Sequence, residues 1–231
     1  MGKLILFDID GTLTRSHNGF IPFNEAILKT FGFPGDIRTI TPDGSTDPLI
    51  LEEIFATSNL KVEITEERWR SFAGNLQESY SHAIRERLTK ITALPGVLEL
   101  IRELAKVEGL YQGVVTGNLE VIAQLKLEAA GLSPYLKLGA YGSDSRNRVD
   151  LPGIARERWK KELGRSITSD HCVIIGDTPK DLDAARKNHM RCLLVGTGKY
   201  PLEELAFFGP DACLSDFTQT KNTVETLLEL F

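Results

Sequence analysis

Two apolar patterns alternate along the chain. Short strand-like apolar runs stand at residues 4–7, 112–116, 172–175 and 191–195. Each is too short for a buried helix and is bounded by polar or glycine residues, as strands covered on both faces are. Stretches with helical periodicity separate them. One spans 95–107, before the second run. Another follows it over 119–130 and stops at Gly131, a helix-ending glycine. A third covers 151–163 and stops at Gly164; a fourth covers 180–188, and a last one, 218–230, closes the chain. Strands alternating with helices predict a parallel sheet.

Residues 16–94 break the alternation. They contain no convincing strand and are rich in helical periodicity, as over 66–88, until Pro95-Gly96 restarts the α/β pattern. The expected architecture is therefore α/β: a Rossmann-like parallel sheet flanked by helices, with an all-helical cap inserted over the sheet's carboxyl edge. The core comprises 1–15 and 95–231, and the cap 16–94. Within the cap, Asp43-Gly44-Ser45-Thr46-Asp47-Pro48 reads as a helix start, with Thr46 or Asp47 at the N-cap and Pro48 in the first turn.

Composition adds exclusions. The 231 residues are 42% hydrophobic, enough for one large domain with an insertion, and the net charge is −5 with no basic patch, which argues against nucleic-acid binding. No apolar run has transmembrane length, and the N-terminal run is short and ends in acid, unlike a signal peptide. Cys172, Cys192 and Cys213 are odd in number and lack CxxC spacing, so they are expected as reduced core thiols of a cytoplasmic protein. His17, His82, His171 and His189 are scattered, and Trp69 and Trp159 sit in helical patterns as packing residues.

The chemistry begins at Phe7-Asp8-Ile9-Asp10-Gly11-Thr12-Leu13-Thr14. Asp8 and Asp10 project from the same side of an extended chain at the end of an apolar strand, and Gly11 permits a tight turn. Carboxylates so close repel, and one would protonate unless a cation lay between them; a bound Mg²⁺ answers that, and a phosphate ligand would follow the metal. In Val114-Val115-Thr116-Gly117-Asn118 a strand ends in a hydroxyl and backbone N–H groups that suit an anion. Taken alone, it reads first as a strand end with Asn118 as a helix N-cap. In Val173-Ile174-Ile175-Gly176-Asp177-Thr178-Pro179-Lys180-Asp181, a third strand delivers Asp177, with Asp181 in the first turn of the next helix. A helix-capping reading holds there too, yet acids at two strand ends converging on one sheet edge suit a divalent ion.

These clusters, in this order, resemble the motifs of the haloacid dehalogenase-like hydrolase superfamily, in its phosphoglycolate phosphatase-like, aspartate-nucleophile branch. The resemblance covers nearly the whole chain and implies roles. Asp8 would be nucleophile and metal ligand. Asp10 would be acid/base, lending the metal its backbone oxygen. Thr116, Gly117 and Asn118 would hold the phosphoryl group. Asp177 would be a metal ligand and Asp181 a ligand directly or through water. The family also needs a cation between the second and last clusters, in many relatives a Lys-Pro, and none occurs here. Arg148 is the first choice because it shortly precedes the 151–163 helix; Arg146 is second and Lys137 a distant third. Cap residues Ser45, Thr46 and Asp47 would face the site, where cap loops select substrate.

The implied activity is Mg²⁺-dependent hydrolysis of a small phosphorylated metabolite through an aspartyl-phosphate, by a monomer or homodimer without nucleic-acid or membrane partners. A β-phosphoglucomutase-type phosphomutase is the alternative. Dehalogenase chemistry ranks low because dehalogenases lack the acid at Asp10's position. Phosphonatase chemistry would need a cap lysine, and nothing marks Lys61, Lys29 or Lys90. A non-catalytic relative is disfavoured by the intact Asp8, Asp10 and Asp177. Val195-Gly196-Thr197-Gly198-Lys199 lacks P-loop spacing and is expected as a loop at the site rim.

Overall fold

The computed structural model describes residues 2–58 and 62–231; Lys61 lies outside the described residues. In chain order the core and cap elements are β1 (Lys3–Phe7), β2 (Thr14–His17), α1 (Phe20–Phe31), α2 (Asp47–Thr57), α3 (Glu66–Arg85), β3 (Lys90–Ala93), α4 (Val97–Leu104), β4 (Leu110–Val115) and α5 (Glu120–Ala129). There follow β5 (Gly139–Ala140), α6 (Leu151–Leu163), β6 (Cys172–Gly176), α7 (Pro179–Lys187), β7 (Arg191–Val195), α8 (Leu202–Phe207), β8 (Ala212–Leu214) and α9 (Thr220–Glu229). Among the described residues, one six-stranded sheet runs in the order β5-β4-β1-β6-β7-β8 with every neighbouring pair parallel. The two short strands β5 and β8 lie outside the four runs that apolar pattern marks, because two and three residues cannot display a pattern.

Alternate residues of β1 face opposite layers. Ile5 and Phe7 pack with Val114, Val173 and Leu193 under α4, α5 and α9, through Leu100, Ile101, Leu127 and Leu227. Leu4 and Leu6 pack with Ile174 and Leu194 under α6 and α7, through Leu151, Ala155, Leu182 and Ala185. Burial on both faces is why these strands read as unbroken apolar runs rather than alternating ones. The strand order reverses at β1, and open sheets place ligand sites outside the carboxyl ends at such a point. Register brings three of those ends together: Phe7 lies beside Val114 on one side and Ile175 on the other. The next residues along these strands lead into Asp8, Thr116 and Asp177.

The insertion is helical in its body. Helices α1, α2 and α3 bury Phe23, Ile27, Leu51, Ile54, Phe55 and Phe72 among themselves, with Phe31 and Phe55 edge-to-face at 4.8 Å between ring centroids. Leu119 and Ile122 of the core share that cluster. Thr65 starts α3 by accepting from the Arg68 N–H, and Glu66 and Glu67 follow in the first turn, where the helix dipole favours acid. The expectation of no strand between 16 and 94 is corrected at both margins. β2 and β3 pair antiparallel, Thr14 with Ala93 through His17 with Lys90. These four-residue strands are largely polar and lack alternation, so pattern alone did not mark them. The ribbon carries the chain out to the cap and back side by side. No described helix is long and apolar enough to cross a membrane.

Candidate active site

A cavity of about 410 Å³ opens where the sheet's carboxyl edge meets the cap. Asp8, Asp10, Thr116, Gly117, Asn118, Arg148 and Asp177 line its core side, and Ser45, Asp47, Ile50 and Tyr80 line its cap side. One carboxylate oxygen from each of Asp8, Asp177 and Asp181 lies within 4.8 Å of the others, and all three residues are buried. Glycines make this proximity possible. Gly11 has a φ of +81°, and a Cβ there would sit 2.3 Å from Asp177 Oδ2; a Cβ at Gly176 would strike the Asp181 carboxylate.

Arg148 supplies the cation across from the acids. It is buried in the short turn ahead of α6, with its guanidinium 3.0 Å from Asp8 Oδ1 and 2.5 Å from Asp181 Oδ1. Burial works against its charge, but Asp181 and Asp8 hold it protonated above the ordinary range. Arg146 does not reach the cluster. It is exposed and pairs with Glu52 of the cap at 2.6 Å. For the phosphate-ester hydrolysis that the sequence implies, Arg148→Ala is therefore expected to cost about 10²–10³-fold in turnover, the scale of losing one charge-stabilising donor. Arg146→Ala should stay within about threefold, since exposed ion pairs contribute little. Steady-state rates on an aryl phosphate decide between them, and the reverse ranking would exchange the two assignments.

One guanidinium does not balance three carboxylates. Burial, then the partly offsetting Arg148, then Asp181 and Asp10, leave the Asp8 carboxyl raised to about 6. Burial and the neighbouring Asp8 and Asp181 push Asp177 up to about 9, although the Thr12 hydroxyl donates to it at 3.1 Å. An all-oxygen donor set short of positive charge fits a hard divalent cation. Asp181 is already engaged on both oxygens: Oδ1 accepts from Arg148, and Oδ2 accepts from the Thr178 N–H at 3.1 Å and its hydroxyl at 2.7 Å. That commitment suits contact with an ion through water better than direct ligation.

Asp10 faces a different environment. Lys126 Nζ donates to Asp10 Oδ2 at 2.6 Å, and Asn118 Nδ2 donates to the same oxygen at 2.7 Å. Burial raises the Asp10 carboxyl, but the ammonium and the amide outweigh it and hold the group below its usual range. Asn118 also donates to Thr116 Oγ1 at 2.8 Å. The expected N-cap role of Asn118 is not what forms. Leu119 occupies that position without a side-chain cap, and the Leu119 N–H donates instead to Asp47 Oδ2 at 2.8 Å. The sequence reading missed this because the capping carboxylate arrives from the cap, 72 residues away.

Thr46 is the N-cap residue of α2, yet its hydroxyl donates across to the Arg146 carbonyl at 2.7 Å, and the Asp47 N–H donates to the Gly117 carbonyl at 2.8 Å. Ser45 accepts from Lys180 at 2.6 Å. The cap loop is thus seated directly on the core loop, and a Cβ at Gly117 would lie 1.9 Å from the Ser45 carbonyl. Burial raises the Asp47 carboxyl to about 6 against the Leu119 N–H. At the rim, the Thr197 hydroxyl donates to the Gly11 carbonyl at 2.6 Å, and Gly198 and Lys199 line the cavity.

Lys126, beside Asp10 in the cavity lining, is a residue that the sequence reading missed. A signal was present: Ile122, Ala123, Lys126 and Leu127 form one helical stripe, and all four are buried. A lysine on an apolar stripe is rare without a partner. Lys137, the third candidate cation, lies outside the cavity lining.

Comparison with known proteins follows the same outline. A model of the haloacid dehalogenase-like hydrolase family matches residues 5–186, and a second, HAD-hydrolase-like, matches 153–220. The probable phosphatase IndB of Dickeya dadantii is 26% identical, over all of this chain and 96% of its own. A phosphoglycolate phosphatase of Rhodospirillum rubrum is 26% identical over 94% of this chain and 88% of its own. The crystal structure of a hydrolase from Pseudomonas syringae superposes with a TM-score of 0.67 at 25% identity, covering 97% of this chain and 98% of that one.

Proposed function

The chain belongs to the haloacid dehalogenase-like hydrolase family, and on that premise we propose that it is a Mg²⁺-dependent phosphatase of a small, phosphoglycolate-like metabolite that works through an aspartyl-phosphate. Relatives that match it over most of its length are named as phosphatases, and phosphoric monoester hydrolysis is the activity they support. The carrying observation is the division of the acids into two groups around one cavity. Asp8, Asp177 and Asp181 gather opposite Arg148, while Asp10 stands apart with Lys126 and Asn118.

In the proposed reaction, a carboxylate oxygen of Asp8 attacks phosphorus in line as the bond from phosphorus to the ester oxygen breaks; because Lys126 and Asn118 hold Asp10 ionised, the proton for the departing oxygen enters with the substrate as its phosphate monoanion and is relayed by Asp10. Asp10 then removes a proton from the water that attacks the aspartyl-phosphate, releasing inorganic phosphate and restoring Asp8. Thr116, Arg148 and the backbone N–H groups after Thr116 hold the phosphoryl oxygens. Asp8, Asp177 and the Asp10 carbonyl would hold Mg²⁺, with Asp181 engaged through water; the ion would neutralise charge gathering on the phosphoryl group. The roughly 410 Å³ cavity and the cap loop seated on Gly117 favour a small leaving group. A metabolite panel with Mg²⁺, containing phosphoglycolate, hexose phosphates, nucleotides and pyrophosphate, tests this reading. Turnover of a hexose phosphate to its isomer instead of free sugar would replace it with a phosphomutase. No turnover of any ester would sink it.

The ion's role carries its own prediction. A carboxyl whose folded pKa lies above its unfolded value weakens the fold progressively as pH rises between the two. For Asp177 that window runs from 3.8 to about 9. In chelator, the wild type should therefore lose melting temperature relative to Asp177→Asn as pH rises from 5 to 8, with about 2–4 °C for each kcal/mol. Mg²⁺ should raise the wild type at pH 8 and leave Asp177→Asn unmoved. Parallel pH profiles in chelator would remove the raised Asp177 carboxyl, and an equal Mg²⁺ response in the two proteins would remove Asp177 from the metal site.

A further inference from the structure

We propose that Lys126 is a positioning residue that fixes the Asp10 carboxylate for proton transfer and ties its orientation to the cap through Tyr80; this rests on the assignment of Asp10 as acid/base.

The ammonium of Lys126 sits where three chain segments meet. It donates to Asp10 Oδ2 at 2.6 Å, after β1, and to Asn118 Oδ1 at 2.8 Å, after β4. It also stands 5.7 Å from the ring centroid of Tyr80, on cap helix α3. An ammonium has three N–H donors. The acid and the amide take two of them, and the Tyr80 ring lies within reach of the charge as a cation–π partner. Lys126 is 4% exposed, and burying a charge is unfavourable unless it is fully partnered. Packing alone would be met by methionine or leucine on that stripe.

The consequence falls on Asp10. Both strong donors, Lys126 and Asn118, converge on Oδ2, while among the described residues Oδ1 has only the Ser16 hydroxyl at 3.5 Å. One oxygen is thus clamped and the other is left for chemistry. Asn118 completes the frame by bonding Asp10, Lys126 and Thr116 together. Because its two short hydrogen bonds go to Asp10 and Asn118, Lys126 orients the acid. Tyr80 belongs to the cap, and its hydroxyl donates to the Gly19 carbonyl at 3.3 Å near the cap's first helix. A cap displaced from the core would remove one of the three partners, so the frame around Asp10 is complete only with the cap seated.

The test is a kinetic double-mutant cycle on the full chain, with Mg²⁺ and p-nitrophenyl phosphate. Lys126→Met is expected to lower kcat by about 10–100-fold, the range of supporting residues around a catalytic group, with KM within about threefold. In an Asp10→Asn background the same change should alter kcat by less than about twofold, because its action runs through Asp10. Tyr80→Leu should show a smaller loss that also vanishes in that background, and Tyr80→Phe, which keeps the ring, should lose less than Tyr80→Leu. If Lys126→Met does not fold, the Tyr80 pair carries the cycle. Equal losses in both backgrounds, or a raised KM at unchanged kcat, would overturn the proposal. Activity surviving in Asp8→Asn would instead overturn the phosphatase mechanism beneath it.

Discussion

Asp8→Asn is expected to abolish hydrolysis of every phosphate ester, with a loss of about 10⁴-fold or more, the scale seen when a covalent nucleophile is removed. The substitution suits the site. Asparagine keeps the shape, and its carbonyl oxygen can still accept from Arg148, now 3.0 Å from Asp8 Oδ1. It also removes one negative charge from a cluster that holds three carboxylates against one guanidinium. The variant should therefore fold at least as well as the wild type without metal, and the loss belongs to chemistry. Two measurements make this firm. Steady-state hydrolysis with Mg²⁺ should fall to background, and acid-quenched protein from labelled substrate should carry phosphate on the wild type and none on the variant. Full activity in Asp8→Asn would remove the nucleophile assignment.

Which parts of this arrangement sequence could reveal follows from range. The strands ending in Asp8, Thr116 and Asp177 were legible because burial on both sheet faces imposes apolar runs. The acids stand immediately after those runs. Arg148 was legible by position, since the family resemblance implies a cation between the second and last clusters and Arg148 sits just ahead of α6. What it contacts was not legible, for Asp181 lies 33 residues on and Asp8 on another strand. Ser45, Thr46 and Asp47 were expected to face the site, and Ser45 and Asp47 line the cavity, but the core groups that this loop bonds were not legible. Asp47 reads as a local helix starter, yet it caps α5. Lys126 reads as one more helical lysine until its neighbours on the stripe, Ile122 and Leu127, are seen to be buried. The β2–β3 ribbon escaped for another reason. Its strands are short and polar, and they pair across the whole length of the cap, Thr14 with Ala93 and His17 with Lys90.

Asp10→Asn is the second large effect, and its size should depend on the leaving group. Asp10 has two tasks in the proposed cycle: it protonates the departing oxygen, then deprotonates the attacking water. An alkoxide is a poor leaving group and needs that proton, so on an alkyl phosphate the variant should lose about 10²–10⁴-fold in kcat, the range of a positioned acid/base group. A nitrophenolate leaves without protonation. On p-nitrophenyl phosphate the first step should therefore survive in the variant while the second does not. Rapid mixing should show a burst of nitrophenol close to one per active site, followed by slow turnover as the aspartyl-phosphate waits for its water. The amide can still accept from Lys126 through its oxygen, which keeps the frame of Lys126 and Asn118 occupied, so the loss reports proton transfer and not collapse of the site. Equal losses on both esters with no burst would mean that Asp10 serves binding or folding. Asp8 would then need another acid, and among the described residues that line the cavity the remaining carboxyls are Asp43, Asp47 and Asp177.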